Sequence, residues 1–336
     1  MKILSALLLL AVPAVAAVSG AVANRTTGQP LAGVTVVLNS MGQNGFAPLA
    51  ETKADARGRF AFDREVQGPL MVRVTFEGVP YFQVLPPGSP TTDVTLDVYN
   101  SSKQPGAAKV SKHLLAFAPS AQGHMTIQET YLCTNDGKTA WNDPGSGELR
   151  FYLPAAAGGN VEVNATAPGG MAVPASLIKT SSPDILAVDF AIKPGETSFD
   201  VNYSVPYTPG APYQGKIVTK DDNTYLIAPR GVTLSGDGLQ DLGIYPRTQA
   251  HIYGLPGNTY KIAVTGAPAA PEPEAAASDE QDNGQKIEAI LPRIYRSVPA
   301  ILGLALAILA VGFTLLYRKS SDLSVPAKET NERGRR

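Results

Sequence analysis

Residues 198–205 read Ser-Phe-Asp-Val-Asn-Tyr-Ser-Val, an unbroken alternation of polar and apolar side chains. In an extended chain successive side chains point to opposite faces, so this period of two marks a strand with one face buried. The same alternation recurs along the chain. Leu70, Val72, Val74 and Phe76 interleave with Met71, Arg73 and Thr75, and Val94, Leu96 and Val98 with Thr95 and Asp97. Phe60 and Phe62 follow Arg59 and Ala61, while Leu186, Val188, Phe190 and Ile192 alternate with Ala187, Asp189 and Ala191. Met125, Ile127, Tyr131 and Cys133 share one strand face, Leu149, Tyr152 and Leu153 fall in the next strand, and Tyr260, Ile262 and Val264 close the series. With 32 Gly and 28 Pro to break the runs, many short strands joined by turns are predicted rather than helices. The predicted fold class is mainly β: an N-terminal β-sandwich over 18–100 and a second over 108–266.

A chain of 336 residues has room for about two ordinary domains. Its formal net charge of −1 offers no polycationic face, so a nucleic-acid partner is not expected. The single cysteine, Cys133, excludes an intrachain disulfide. Cysteine poverty in an exported chain fits a bacterial envelope. Asn-x-Ser/Thr sequons stand at Asn24, Asn100, Asn164 and Asn202.

Two apolar segments set the expected topology. Lys2 precedes a leucine-rich run over 3–12, and Ala14-Val15-Ala16 supplies small residues for cleavage, so 1–17 reads as a secretory signal. Residues Val298 to Tyr317 carry no charge and span about 30 Å as a helix, the thickness of a bilayer core. Tyr295 and Tyr317 stand where interfacial aromatics belong, and Arg318-Lys319 begins a basic tail over 318–336, which places the C-terminus in the cytoplasm. The expectation is a single-pass protein of a bacterial inner membrane with its body outside the cytoplasm. Gly303 and Ala307 form a small-xxx-small pair through which two such helices can approach. Between body and helix, 267–290 is rich in Ala, Pro and acidic residues and reads as a disordered stalk.

In the first sandwich, Ser-Gly-Ala-Val-Ala-Asn-Arg-Thr-Thr-Gly-Gln-Pro-Leu-Ala-Gly-Val-Thr-Val-Val-Leu over 19–38, followed by Thr-Lys-Ala-Asp-Ala-Arg-Gly-Arg-Phe-Ala-Phe-Asp over 52–63, resembles the carboxypeptidase regulatory-like domain. The positions that carry the resemblance are Gly20, Val22, Gly28, Pro30, Leu31, Gly33, Val34, Val36, Leu38, Thr52, Asp55, Gly58, Phe60 and Phe62. It covers about a quarter of the chain. The resemblance implies a transthyretin-like, Ig-like sandwich that is not catalytic and serves stability or recognition, with some related sandwiches binding carbohydrate. Where that family often has Gly-x-Tyr, this chain reads Gly68-Pro69-Leu70-Met71. From the residues themselves, Asp55-Ala56-Arg57-Gly58 is predicted to make a tight hairpin, with Gly58 at positive φ.

Chemistry-bearing motifs are few. His113, His124 and His251 are scattered outside any zinc-binding spacing. Cys133 falls on an apolar strand face, and Asp221-Asp222-Asn223 and Asp237 with Asp241 do not follow a calcium-loop pattern. No metal and no cofactor is expected, and no Gly-x-Ser-x-Gly or P-loop is present in the sequence. Trp141, Tyr131 and Tyr152 are the candidate ligand platform, since aromatic faces stack on sugar rings. The reading is a non-catalytic, membrane-anchored binding or scaffolding protein presenting sandwiches to an envelope protein or a polymer. The alternatives are a carbohydrate-binding envelope protein and a hydrolase with an unrecognised site in the second domain.

Overall fold

The computed structural model describes residues 18–42, 45–63, 68–219 and 223–269. The expected signal segment, most of the stalk, the membrane helix with Val298, Gly303, Ala307 and Tyr317, and the basic tail lie outside them.

The chain is mainly β. The first eight strands are β1 (Val18–Asn24), β2 (Gln29–Pro30), β3 (Thr35–Gly42), β4 (Gly45–Lys53), β5 (Arg59–Phe62), β6 (Leu70–Phe76), β7 (Val79–Leu85) and β8 (Val94–Val98). They form two four-stranded sheets, one of β2, β1, β5 and β8, the other in the order β4-β3-β6-β7. The inward residues of the alternating strands meet between them. Val36, Leu38, Phe60, Phe62, Val72, Val74, Leu96 and Val98 are all buried in one core. Each such side chain contributes roughly 1.5–3 kcal/mol by leaving water. The parallel pairing of β1 with β8 brings Gly20 so close to Val94 that a Cβ there would lie 1.9 Å from the Val94 carbonyl oxygen. The turn over Asp55–Gly58 differs from the expected hairpin. Gly58 does take φ +74°, and the Asp55 carboxylate accepts the N–H groups of Arg57 and Arg59. But β4 pairs with β3 and β5 with β1, so the turn carries the chain from one sheet to the other. Phe60 and Phe62 can then face β3 and β6 across the core.

After β9 (Ser101–Ser102) come β10 (Ala108–Pro119), β11 (His124–Asn135), β12 (Ala140–Trp141), β13 (Leu149–Tyr152), β14 (Val161–Thr166), β15 (Val173–Pro174), β16 (Ser176–Lys179), β17 (Ile185–Asp189) and β18 (Gly195–Pro206). The remaining strands are β19 (Pro212–Lys216), β20 (Thr224–Ala228), β21 (Val232–Gly236), β22 (Gln240–Tyr245), β23 (Ala250–Leu255) and β24 (Thr259–Gly266). Eight of them make one sheet in the order β15-β14-β18-β11-β10-β20-β23-β22. Two three-stranded sheets, β13-β17-β16 and β19-β24-β21, supply the opposing layer. A single core runs through all three sheets, from Val110 and Phe117 through Phe151, Val188 and Phe199 to Leu234 and Ile262. The second region is thus one sandwich whose opposing layer is divided into two sheets.

The two sandwiches are joined by more than a linker. The segment after β11 leaves the second sandwich and pairs β12 with β9, while Trp141 forms a reciprocal backbone bridge with Ile192. Ala140 is fully buried in the first core, and Trp141 packs against the second. The Thr26 hydroxyl donates to the Lys138 carbonyl, and the Lys193 ammonium donates to the Pro80 carbonyl at 2.6 Å.

Candidate functional site

A charged residue lies in the middle of the eight-stranded sheet. Glu129 falls two residues beyond Ile127 in β11, so the strand's period places it on the inward face, where it is 3 % exposed. Its neighbours across the sheet are Leu115 and Val201. Desolvating a carboxylate costs several kcal/mol unless it is hydrogen-bonded. Here the donors converge. Tyr131 and Tyr203 each donate a phenol O–H at 2.7 Å, to Oε2 and Oε1 respectively, and His113 Nε2 lies 2.9 Å from Oε2. A hydrogen bond to a charged group contributes about 1.5–3 kcal/mol, so the set is of the size needed to offset burial. His113 stands directly opposite Tyr131 in the register, and the two rings stack with centroids 3.8 Å apart. A bulge between Val110 and Lys112 turns His113 inward.

The network continues toward the surface. The hydroxyl of Tyr203 lies 3.3 Å from that of Tyr213 on β19, and Tyr213 in turn bonds to Tyr260 on β24. Burial, followed by the neighbouring Glu129 charge, raises Tyr203 well above the ordinary phenol range. Burial raises Tyr213 and Tyr260 as well, in Tyr213 against the lowering effect of its hydrogen bonds with Tyr203 and Tyr260, so these phenols remain donors. Phe117 meets both Tyr213 and Tyr260 edge-on, which fixes their ring planes.

Tyr260 is also a wall of an open cleft of about 780 Å³ lined by Tyr152, Asp184, Gln214, Lys216, Asp237, Thr259 and their neighbours. The cleft follows the seam in the divided layer. β13 and β19 are the facing edges of the two small sheets, and neither pairs with the other. Side chains close the seam instead. Lys216 Nζ reaches Asp184 Oδ2 at 2.6 Å and sits 5.2 Å from the centre of the Tyr152 ring, and the Thr219 hydroxyl donates to the Arg150 carbonyl. The bond from Lys216 holds the Asp184 carboxyl below its usual range. Gly215, opposite Tyr260 in the register, is there for space: a Cβ would lie 2.3 Å from the Tyr260 phenol. This arrangement can hold a polar ligand by hydrogen bonds and ring contact, with charges of both signs on its rim.

The three residues of the expected aromatic platform are not brought together as one exposed face. Tyr131 is 2 % exposed, its ring against His113 and its hydroxyl on Glu129, so it has no face to offer a sugar. Trp141 is half-buried in the bridge between sandwiches, and its indole N–H meets no acceptor among the described residues. Only Tyr152 lines the cleft. Glu129 and Tyr213 were not singled out from the sequence, and Tyr203 and Tyr260 were read only as strand residues. Glu129 interrupts the apolar face of β11 at an inward position, and that interruption was the signal available for it.

The other candidates are placed as follows. Cys133 is 1 % exposed, and burial pushes its thiol up to about 12. His124 is exposed at the start of β11. His251 Nε2 lies 2.6 Å from Asp241 Oδ1, and Asp237 is on the cleft rim. Asp221 and Asp222 lie outside the described residues. Among the described residues no three or more His, Cys, Asp or Glu converge on a point that could hold a metal ion. Among them, too, no helix is long and apolar enough to cross a membrane. No protein-family model matches the chain, and a search of curated proteins finds no match.

Proposed function

We propose that the chain is a membrane-anchored binding or scaffolding protein of the bacterial envelope. Its first sandwich is read as a module of the carboxypeptidase regulatory-like, transthyretin-like type. The positions behind that reading are used structurally: Gly20 allows the approach of β1 to β8, and Gly33 and Gly58 both sit at positive φ. The signal segment and the helix over 298–317 supply export and anchorage.

The observation that carries the binding reading is the seam cleft. It is a ligand-sized concavity with polar rims, and it is backed by a buried network that holds its walls in place. The joining of the sandwiches through Ala140 and Trp141 supports display of both as one body. A partner is recognised by surface complementarity at the cleft, and confinement to the membrane raises its effective concentration. Capture from gently solubilised membranes with the intact chain and with Lys216→Glu tests this. A partner held by the former and released by the latter supports the reading; a partner held equally by both removes the cleft from it.

A second reading is carbohydrate binding in the same cleft, favoured by Tyr152 beside Gln214, Asp184 and Thr259. Polysaccharide pull-down with Tyr152→Ala as control decides it, and retention that ignores the substitution argues against a sugar on that ring.

A further inference from the structure

The edge of the eight-stranded sheet carries an apolar surface that neither core explains. In β22, Leu242, Ile244 and Tyr245 are 55, 59 and 47 % exposed, three of the few large apolar residues on the surface. Exposed edge strands are normally blunted by charge. Here Asp241 is tied to His251 across the hairpin, and the turn that follows Tyr245 offers Pro246 and an exposed Arg247. Aliphatic, aromatic and arginine side chains together are the composition of a bilayer interface.

Topology fixes where this edge lies. Tyr245 pairs with Ala250, and Ile244 with His251. His251 pairs on its other side with Ala228 at the end of β20. Four residues later Val232 opens β21 opposite Gly266, and the Ala269 N–H donates to the Arg230 carbonyl. The end of β22 and the departure of the chain toward its C-terminus therefore share one end of the sandwich. About 28 residues of sequence lie between Ala269 and Val298, where the segment read as the membrane helix begins.

We infer that the β22 edge, with Leu242, Ile244, Tyr245 and Arg247, is a foot that rests in the phospholipid interface of the membrane holding the chain. The inference rests on the anchored reading of the helix over 298–317. The foot's role is orientation: it points the seam cleft and the first sandwich in a fixed direction from the bilayer.

The test uses the full chain reconstituted into vesicles of phosphatidylethanolamine and phosphatidylglycerol. Cys133 is buried, so a maleimide dye reports a single introduced cysteine. A polarity-sensitive nitrobenzoxadiazole is placed at Ile244→Cys and, as control, at the exposed Glu51→Cys on the first sandwich. The expected result is blue-shifted emission at 244 with loss of more than half its intensity in brominated lipid, neither being seen at 51. A chain retained through carbonate extraction whose two probes behave alike overturns the foot and leaves the anchor standing. A blue shift at 244 without bromine quenching also overturns it, because a protein strand rather than lipid then covers the edge. Release of the chain by carbonate overturns the anchor, and the foot with it.

Discussion

Ala140 and Trp141 are consecutive residues that pack into different domains: Ala140 is buried in the core of the first sandwich, and Trp141 lies against the core of the second. Alternation along a two-residue strand is enough to do this, because neighbouring side chains point opposite ways. The two cores are expected to melt together. Scanning calorimetry of the body should show one transition, and Ala140→Leu, by overfilling the first core, should lower that whole transition at a cost of about 1–3 kcal/mol. A variant trace that splits in two would show the cores to be independent.

Removing Glu129 should cost more than removing any one of its donors. Glu129→Ala leaves two phenols and an imidazole facing a void in the sheet, a loss of about 3–5 kcal/mol for a broken buried charged network. Tyr203→Phe deletes one donor, for about 1–3 kcal/mol. Urea midpoints with matched slopes measure both. Equal losses would mean that the carboxylate is no more than a partner of Tyr203.

Lys193 gives a pH signature. Burial between the sandwiches lowers its ammonium to about 8, below the ordinary lysine value that the unfolded chain retains. Between those two values the unfolded chain binds the extra proton, so stability rises with pH in that window. Below about 8 the charge is carried in both states, and its burial penalty is present in full. The melting temperature of the native chain relative to Lys193→Met should therefore climb from neutral pH toward pH 10. A flat difference would mean that the hydrogen bond to Pro80 and the Tyr81 ring, 4.7 Å from Nζ, keep the ammonium charged.

Two glycines separate space from conformation. Gly20→Ala should block assembly of the first sandwich, because the new methyl meets backbone rather than a movable side chain. Gly28→Ala meets nothing within reach and should lose only the roughly 1–2 kcal/mol of a left-handed residue at φ +73°. Near-UV circular dichroism and thermal melts of the pair read the contrast, and similar losses would put the β1–β8 approach in doubt.

The mainly-β class was legible wherever one face of a strand is wet. In β18 the burial pattern follows the sequence alternation from Thr197 to Val205. It was less legible in β17, where Ala187 and Val188 are both buried. A Cβ on Gly147 would meet Ala187 at 2.9 Å, so the loop before β13 covers the face that alternation assigns to solvent. The exposed β22, bulged between Asp241 and Gly243, carried no inward pattern to read. The site was hidden for another reason: Tyr203, Tyr213 and Tyr260 sit in unremarkable strands, and only the long-range pairing of sheets makes them neighbours.

The parallel pairing of His113 with Thr224 also sets an order of events. During synthesis β10 and β11 emerge early and can close as a hairpin, but the outer edge of β10 has no partner until β20 arrives. Closing so distant a contact is slow. In the interval a strand carrying Leu115 and Phe117 is open to pairing with other chains. This protein is therefore expected to need a chaperone in the compartment where it folds, and its yield should depend on that chaperone more than on its final stability.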